Sequence, residues 1–541
     1  MTVQWEADSM AAGSKAAGST AASQRDCDLL VIGGGVNGAG IARDAAGRGL
    51  RVLLCEKDDL AAHTSSASSK LVHGGLRYLE QYEFALVHKA LGERQRILQS
   101  APHIARPLRF VMPHAAGQRP AWLIRAGLLL YDTLAPRGPL PASRAIDLRR
   151  HQAGAPLKAD YVRGFEYADG WVDDARLVAL CALDAHERGA AIHTQTRCEQ
   201  LQRHPLHWSA QLRHADGTRL QVNARCVADA SGPWAGRLTG NASHAVHAPR
   251  LVKGSHIVVP RLFEHADGYI FQHPDGRIVF ALPYEQRYTL IGTTDLEFAG
   301  DLDTVAISAE ETAYLCALSN RYFRRQVGPA DVVWSFAGVR PLAAGADTSA
   351  QAASRDFELV WEPAGDGEGG GAPLLTVLGG KITTFRTLAE QAVDVIAPAL
   401  GKHHGAWTAQ ACLPGGDLFG PVPSARALRE YDSWAAGVNA RYAFLSPALV
   451  RRYARAYGTR IHQMLQGCRS LADLGPAIVP GLYAAEADYL VRHEFAASGA
   501  DILWRRTKLG LHVAAGSEAL VDAWIAARAP GEPARRLVVQ E

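Results

Sequence analysis

The chain is predicted to be of the α/β class, and three observations carry that prediction. Near the N-terminus a short apolar run leads into a glycine-rich turn and a helical segment; the middle region holds short β-rich runs separated by turn residues; the last third has helical periodicity and no second glycine fingerprint. A length of 541 residues is too great for a single core and suggests two or three domains.

The first element is the most specific. Residues 27–32 (CDLLVI) form the nearly continuous apolar run that a strand buried on both faces requires, and they lead into Gly33, Gly34, Gly35, Val36, Asn37 and Gly38. In this G-x-G-x-x-G spacing Gly33 permits the tight turn, Gly35 lets backbone approach a pyrophosphate, and Gly38 lets a helix over residues 36–48 pack closely on the strand. That helix turns its N-terminal N–H groups and dipole toward phosphates, with Asn37 in the same turn. Gly49 ends it, residues 51–55 (RVLLC) make a second strand, and Glu56 stands at that strand's end, about 20 residues beyond the glycines, where a carboxylate accepts from an adenosine ribose. A glycine-rich turn alone is weak evidence. Strand, glycines, helix, strand and acidic terminus in order define a Rossmann-like nucleotide-binding unit.

Residues 64–76 (TSSASSKLVHGGL) say which nucleotide. Thr64, Ser65, Ser68 and Ser69 supply hydroxyls and backbone N–H groups suited to a second diphosphate face and a ribityl chain, which a nicotinamide does not need there. Leu71, His73 and Gly74 follow in the same run, and FAD is the expected cofactor.

Further along, residues 225–230 (RCVADA) read as a strand ending in a turn at Ser231, Gly232, Pro233 and Trp234. Short β runs at 256–260, 277–282 and 288–291, with a turn at Pro274, Asp275 and Gly276, suggest an antiparallel sheet under a substrate cavity. Residues 366–371 (DGEGGG) read as a loop tip. Residues 374–378 form another strand, and Gly379-Gly380 launches a helix over 384–396, aimed at the cofactor. Helical patterns at 483–496 and 502–508 belong to the C-terminal domain.

Taken with residues 164–167 (GFEY), 171–177 (WVDDARL), 253–256 (KGSH), 291–295 (IGTTD), 338–341 (GVRP) and 379–384 (GGKITT), residues 64–80 (TSSASSKLVHGGLRYLE) resemble the FAD-dependent, aerobic glycerol-3-phosphate dehydrogenases, in order and without large gaps from roughly residue 25 to 520. The resemblance implies oxidation of sn-glycerol 3-phosphate to dihydroxyacetone phosphate by hydride transfer from C2 to flavin N5. Electrons would pass to a ubiquinone-type quinone, and the protein would be a homodimer held peripherally at the inner, cytoplasmic face of the cell membrane. FAD would be bound noncovalently, with contacts at Ser231, Gly232 and Trp234 and at Gly380, Lys381, Ile382 and Thr383. The expected division is an N-terminal extension over 1–24, disordered for want of large apolar side chains, then an FAD-binding domain (25–105, 165–250, 370–404) interleaved with a substrate-binding cap domain (106–164, 251–369). A C-terminal helical domain over 405–541 serves packing and dimer support.

Oxidising this secondary alcohol requires a cationic pocket for the phosphate, a group that takes the hydroxyl proton and a hydride acceptor. Arginine suits phosphate because its planar fork meets two oxygens. Arg77, Arg340, Arg355 and Lys381 fall within the family's substrate motifs, and Tyr78 either donates to the phosphate or packs on a helix. His73, with an unperturbed pKa of about 6.5, is the candidate for proton traffic. Alternatively it hydrogen-bonds the flavin or caps the next helix, while Arg340 or Lys381 stabilises the alkoxide and water takes the proton. The catalytic set is therefore His73, Arg340 and Lys381.

Other classes are excluded or set behind. A net charge of +3 argues against a nucleic-acid-binding class. Eight cysteines lie scattered without metal spacing or C-x-x-C, as reduced thiols do, and no metal is expected. His73-Gly74-Gly75 resembles an esterase oxyanion loop, but no G-x-S-x-G accompanies it. Gly379-Gly380-Lys381 lacks the upstream glycine and following hydroxyl of a P-loop. The N-terminus lacks a signal-peptide core, and no run reaches the roughly 20 apolar residues of a membrane span. Residues 121–134 (AWLIRAGLLLYDTL) come nearest, and read either as a buried or interdomain helix or as part of a membrane-interface surface anchored by Trp122, Arg125 and Tyr131. Two rivals remain: an oxidase of the same substrate that reduces oxygen, and a flavin-bound sensor without turnover.

Overall fold

The apolar run that ends at Ile32 becomes the central strand of the first sheet. In the computed structural model, which describes residues 23–115, 118–238, 249–272, 277–342, 356–365 and 370–528, this strand β1 (Ser23–Ile32) is followed by α1 (Val36–Gly47) and β2 (Val52–Cys55). β1 begins at Ser23, two residues inside the expected extension 1–24, because it keeps its parallel register with Arg219–Asp229 back to Leu220. Residues 1–22 lie outside the described residues, as do Arg355, the 274–276 turn and 366–369 of the loop tip.

The first sheet runs Phe357–Glu362, Leu374–Gly379, Arg219–Asp229, β1, β2, Ala191–His193. All its central pairings are parallel, so the ends of β1, β2, Arg219–Asp229 and Leu374–Gly379 gather along one edge, where an open α/β sheet binds its ligand. Phe357–Glu362 and the hairpin Thr196–Arg203/Trp208–His214 add antiparallel flanks. α1 packs between Asp174–Glu187 and Phe385–Ala399 over a core that includes Leu29, Ile41, Leu180 and Leu388. The absence of a Cβ at Gly40 lets Phe385 approach; a methyl there would lie 3.0 Å from its ring.

The second sheet contains Leu71–Val72, Ala105–His114, Arg144–Asp147, Arg163–Val172 and the strands from Arg250–Pro260 to Trp334–Leu342. It is mixed rather than antiparallel: Gly268–Gln272 pairs in parallel with Ala105–His114. The sheets therefore divide the chain differently from the expected segments, with Phe357–Glu362 in the first and Arg163–Val172 in the second.

The C-terminal region builds its own core from Val450, Tyr453, Leu490, Ile502 and Val521. The expected 483–496 helix is Ala484–His493, and 502–508 is instead a π-helical turn, Asp501–Arg506. All eight cysteines are free, and burial pushes the Cys27 and Cys181 thiols up to about 12. Among the described residues no helix is long and apolar enough to cross a membrane. The candidate stretch forms the helix Ala121–Thr133, buried only at Leu128 and Tyr131 and exposing Trp122, Leu123, Leu129 and Leu130. It is neither a buried helix nor anchored by Tyr131: that hydroxyl points inward and donates to Asp169 Oδ2 at 2.8 Å, while Arg125 donates to Ser143 Oγ at 2.8 Å.

Candidate active site

Where the four parallel strands end, a cavity of about 610 Å³ opens, lined by both the glycine turn and the second sheet. Gly33 adopts φ 111°, and a Cβ there would lie 2.6 Å from Ala230 O; a Cβ on Gly38 would fall 1.9 Å from Gly33 O. Glu56 is buried at the end of β2. Its Oε2 accepts from Gly34 N at 2.6 Å and its Oε1 from Asp58 N at 2.9 Å. Burial raises its pKa, those backbone donors oppose the rise, and each oxygen keeps a lone pair for a ribose hydroxyl. Ser65 Oγ accepts from Val36 N at 3.0 Å and so caps α1 from a distant segment. Asn37 donates through Nδ2 to Gly379 O at 3.2 Å, while its Oδ1 is buried at the cavity wall without a hydrogen-bond partner. An orphaned acceptor beside a phosphate-compatible turn fits a dinucleotide with sugar hydroxyls to donate.

At the Glu56 end, Trp234 meets the edge of His63 at 4.8 Å and carries Lys57 Nζ 4.8 Å above its ring. Glu56, Asp58 and His63 place metal-ligand atoms within 4.8 Å of one another. The cation of that cluster is already Lys57, which pairs with Asp58 and with Asp303 at 2.6 Å. The hydrogen bond with His63, joined by the Lys57 ammonium, holds the Asp58 carboxyl below the usual carboxylate range.

Most hydroxyls of the serine-rich run are committed to protein. Thr64 donates to Val339 O at 2.7 Å, Ser68 to Asp174 Oδ2 at 2.7 Å, and Ser231 to Asp229 Oδ1 at 2.5 Å, while Ser69 Oγ lies 2.8 Å from His256 Nε2. Each of these residues also lines the cavity, and a hydroxyl that donates to protein keeps lone pairs that can accept from a sugar or ribityl hydroxyl. Gly74 stands behind the wall, its N–H donating to Tyr131 at 2.8 Å; Leu71, His73 and Gly75 line the cavity instead.

At the other end the second sheet closes over the opening. His73, Arg77, Tyr78, Arg340 and Lys381 line the same cavity as Gly232, Gly380, Ile382 and Thr383. The His73 backbone N–H donates to Thr383 Oγ1 at 3.2 Å, joining the two motifs. Gly75 adopts φ 81°, and a Cβ there would collide with the Tyr78 ring at 2.1 Å. Above that ring sits Lys381 Nζ, 3.7 Å from its centroid, so Tyr78 supports a cation whichever way its hydroxyl points. Arg340, one of the four expected substrate cations, pairs with Asp295, and its Nη2 donates to Thr293 Oγ1 at 3.0 Å. Gly254 makes room, since a Cβ there would be 2.3 Å from Arg340 Nη2.

Asp295, Thr293 and Tyr131 are the residues that sequence reasoning missed. The first two stand in the 291–295 motif, whose acidic end was the available signal; Tyr131 stands at the one buried turn of an otherwise exposed apolar helix.

Comparison with known proteins accords with this geometry. Residues 28–386 match the family model described as FAD dependent oxidoreductase, and residues 406–529 the one described as C-terminal domain of alpha-glycerophosphate oxidase. The chain is 50% identical over 508 residues to a glycerol-3-phosphate dehydrogenase of Pseudomonas aeruginosa, covering 94% of this chain and 96% of that one. It is 46% identical to D-erythritol 1-phosphate dehydrogenase of Brucella abortus, covering 93% and 98%. Among solved structures it resembles the FAD-complexed glycerol-3-phosphate dehydrogenase of Bacillus halodurans, with a TM-score of 0.72, 26% identity and coverage of 93% and 91%.

Proposed function

The chain belongs to the family of FAD-dependent oxidoreductases that includes the glycerol-3-phosphate dehydrogenases, and on that premise we propose that it oxidises sn-glycerol 3-phosphate at C2 and passes the electrons to a membrane quinone. The observation that carries this reading is the sharing of one cavity by the nucleotide fingerprint and the cations Arg77, Arg340 and Lys381. FAD, when bound, supplies the acceptor for the C2 hydride.

The chain's own groups do the rest. Arg77 and Lys381 carry the phosphate dianion, whose charge supplies most of the affinity of so small a substrate. Arg340, oriented by Asp295 and Thr293, presents its guanidinium to the C2 oxygen. His73, fixed through its backbone by Thr383, takes the hydroxyl proton as the hydride leaves. Steady-state assay of dihydroxyacetone phosphate with a soluble quinone tests the assignment; no product, or product only with oxygen as acceptor, refutes it.

A second reading keeps the chemistry and lengthens the substrate. The 46% identity to a D-erythritol 1-phosphate dehydrogenase favours a four-carbon polyol phosphate, and the ratio of kcat/KM for the two substrates decides between them. Peripheral attachment to the inner face of the membrane is supported by Trp122, 72% exposed, beside Leu123 and Leu129 on one helix, with Tyr82, 81% exposed, before Phe84–Ser100. Co-sedimentation with vesicles should be lost in Trp122→Ser/Leu129→Ser. A homodimer is part of the same reading, and light scattering of the detergent-extracted protein reads it directly.

A further inference from the structure

Among the described residues, none of the C-terminal helical domain lines the cavity, yet buried charges tie that domain to the cavity wall. Asp59 lies between Glu56 and Ala61, both of which face the cavity, and is itself 1% exposed. Its carboxylate receives Arg506 in a fork, Nη1 to Oδ2 and Nη2 to Oδ1, each at 2.8 Å, and Arg505 Nε at 2.5 Å. Consecutive arginines of the π-helical turn Asp501–Arg506 thus reach one acceptor from the far domain. Arg506 is further fixed by Glu494 O at 2.8 Å, and Glu494 in turn receives Arg176 Nη2 at 2.9 Å. The other end of the same segment meets the C-terminal domain only indirectly, through the helix that starts at Asp174. Lys70, fully buried, donates to Asp174 Oδ1 at 2.8 Å, and the neighbouring Asp173 receives Lys508 at 3.3 Å.

Burial pulls the Asp59 carboxyl upward, but the two guanidiniums hold it below the usual carboxylate range. A charge so placed is tolerable only while its partners stay docked. Any shift of segment 56–70 away from its cavity-lining position must unpair Asp59 from both arginines, and undocking of the domain strands the same carboxylate. We propose that docking of the C-terminal helical domain and retention of FAD are coupled through Asp59, Arg505 and Arg506, the domain serving as a latch behind the cofactor-facing segment 56–70. By linkage, whatever factor docking adds to FAD affinity, FAD adds to docking. The inference is independent of which alcohol is oxidised.

The test uses the full-length protein, reversibly stripped of FAD, and three variants. Arg505→Gln removes the partly exposed member of the latch. Arg506→Lys keeps the charge but loses the fork. Arg452→Gln breaks a pair with Glu486, at 2.6 Å, whose arginine is exposed about as much as Arg505 (22% against 17%) and which lies wholly inside the C-terminal domain. FAD affinity is read by flavin fluorescence at a temperature where circular dichroism shows every variant folded, and amide hydrogen exchange at 501–509 is followed with and without FAD. The latch predicts that Arg505→Gln and Arg506→Lys raise the FAD Kd about tenfold or more while Arg452→Gln lowers thermal stability and leaves Kd within about twofold. It also predicts that FAD slows exchange at 501–509 in the wild type. If Arg506→Lys fails to fold, Arg505→Gln and the exchange measurement still decide. Unchanged Kd in the latch variants, an equal loss in Arg452→Gln, or exchange at 501–509 indifferent to FAD would each overturn the proposal.

Discussion

Asp295→Asn isolates what the Arg340 pair does. The Arg340 and Asp295 side chains are 26% and 14% exposed, so the ion pair is largely withdrawn from water, and Thr293 Oγ1 also accepts from the guanidinium at 3.0 Å. Replacing the carboxylate by an amide removes one charge-assisted hydrogen bond, about 1.5–3 kcal/mol, and leaves the neutral contact of about 0.5–1.5 kcal/mol. Spent on misalignment of Arg340 in the transition state, that loss corresponds to a kcat about 10- to 150-fold lower. KM moves the other way or not at all, because the cavity has lost a negative charge and attracts the phosphate more strongly. The assay is steady-state oxidation of sn-glycerol 3-phosphate with enzyme normalised to bound FAD. In a double-mutant cycle, adding Arg340→Lys should cost less on the Asp295→Asn background than alone. A kcat within about twofold of wild type with a raised KM would show that Asp295 does not position Arg340, and would refute the reasoning.

Gly38→Ala should abolish FAD retention, read as the visible-to-ultraviolet absorbance ratio after gel filtration, because the added methyl would stand 1.9 Å from Gly33 O; full flavin content would mean the turn is looser than described. Lys381→Met should raise KM by about 10- to 150-fold, the worth of one charged phosphate contact, while FAD stays bound; an unchanged KM removes Lys381 from the phosphate site. His103 is buried with neither ring nitrogen hydrogen-bonded, and burial, with Arg176 and Arg455, holds its pKa well below the ordinary value. Below about pH 6.5 the unfolded chain therefore binds a proton that the native chain refuses, and His103 contributes a loss of about 1.4 kcal/mol per pH unit on acidification, until its folded value is reached. The buried carboxyl of Asp44, pushed up to about 6, acts in the opposite sense over the lower part of that window. The histidine is thus read as a difference: Tm should fall less between pH 7 and pH 5 in His103→Phe than in the wild type, and parallel curves would contradict the assignment.

The nucleotide half was legible because its signal is local. Strand, turn, helix, strand and Glu56 follow one another within a few dozen residues, and each residue type is dictated by the geometry of that one unit. The mixed character of the second sheet was not legible, since the parallel partner of Gly268–Gln272 is Ala105–His114, far away in sequence and invisible to periodicity. The site divides the same way. The motifs named Arg77, Arg340 and Lys381, all of which reach the cavity. Which acceptor takes a given donor depends on tertiary approach, so neither the Asp295 partner of Arg340 nor the acceptors of Thr64, Ser68 and Ser231 could be read from the chain. The Ala121–Thr133 helix misled because one buried turn and one exposed apolar face have nearly the same composition.

The central claim is that one cavity holds FAD against a phosphate-bearing secondary alcohol. Mixing the purified holoenzyme with sn-glycerol 3-phosphate in the absence of oxygen, and following the visible band of the oxidised flavin, tests it most directly. The account predicts rapid and complete bleaching with one equivalent of dihydroxyacetone phosphate formed per flavin, and fast recovery of the band on adding a soluble quinone. A bound flavin that stays oxidised with this substrate and with D-erythritol 1-phosphate would contradict it.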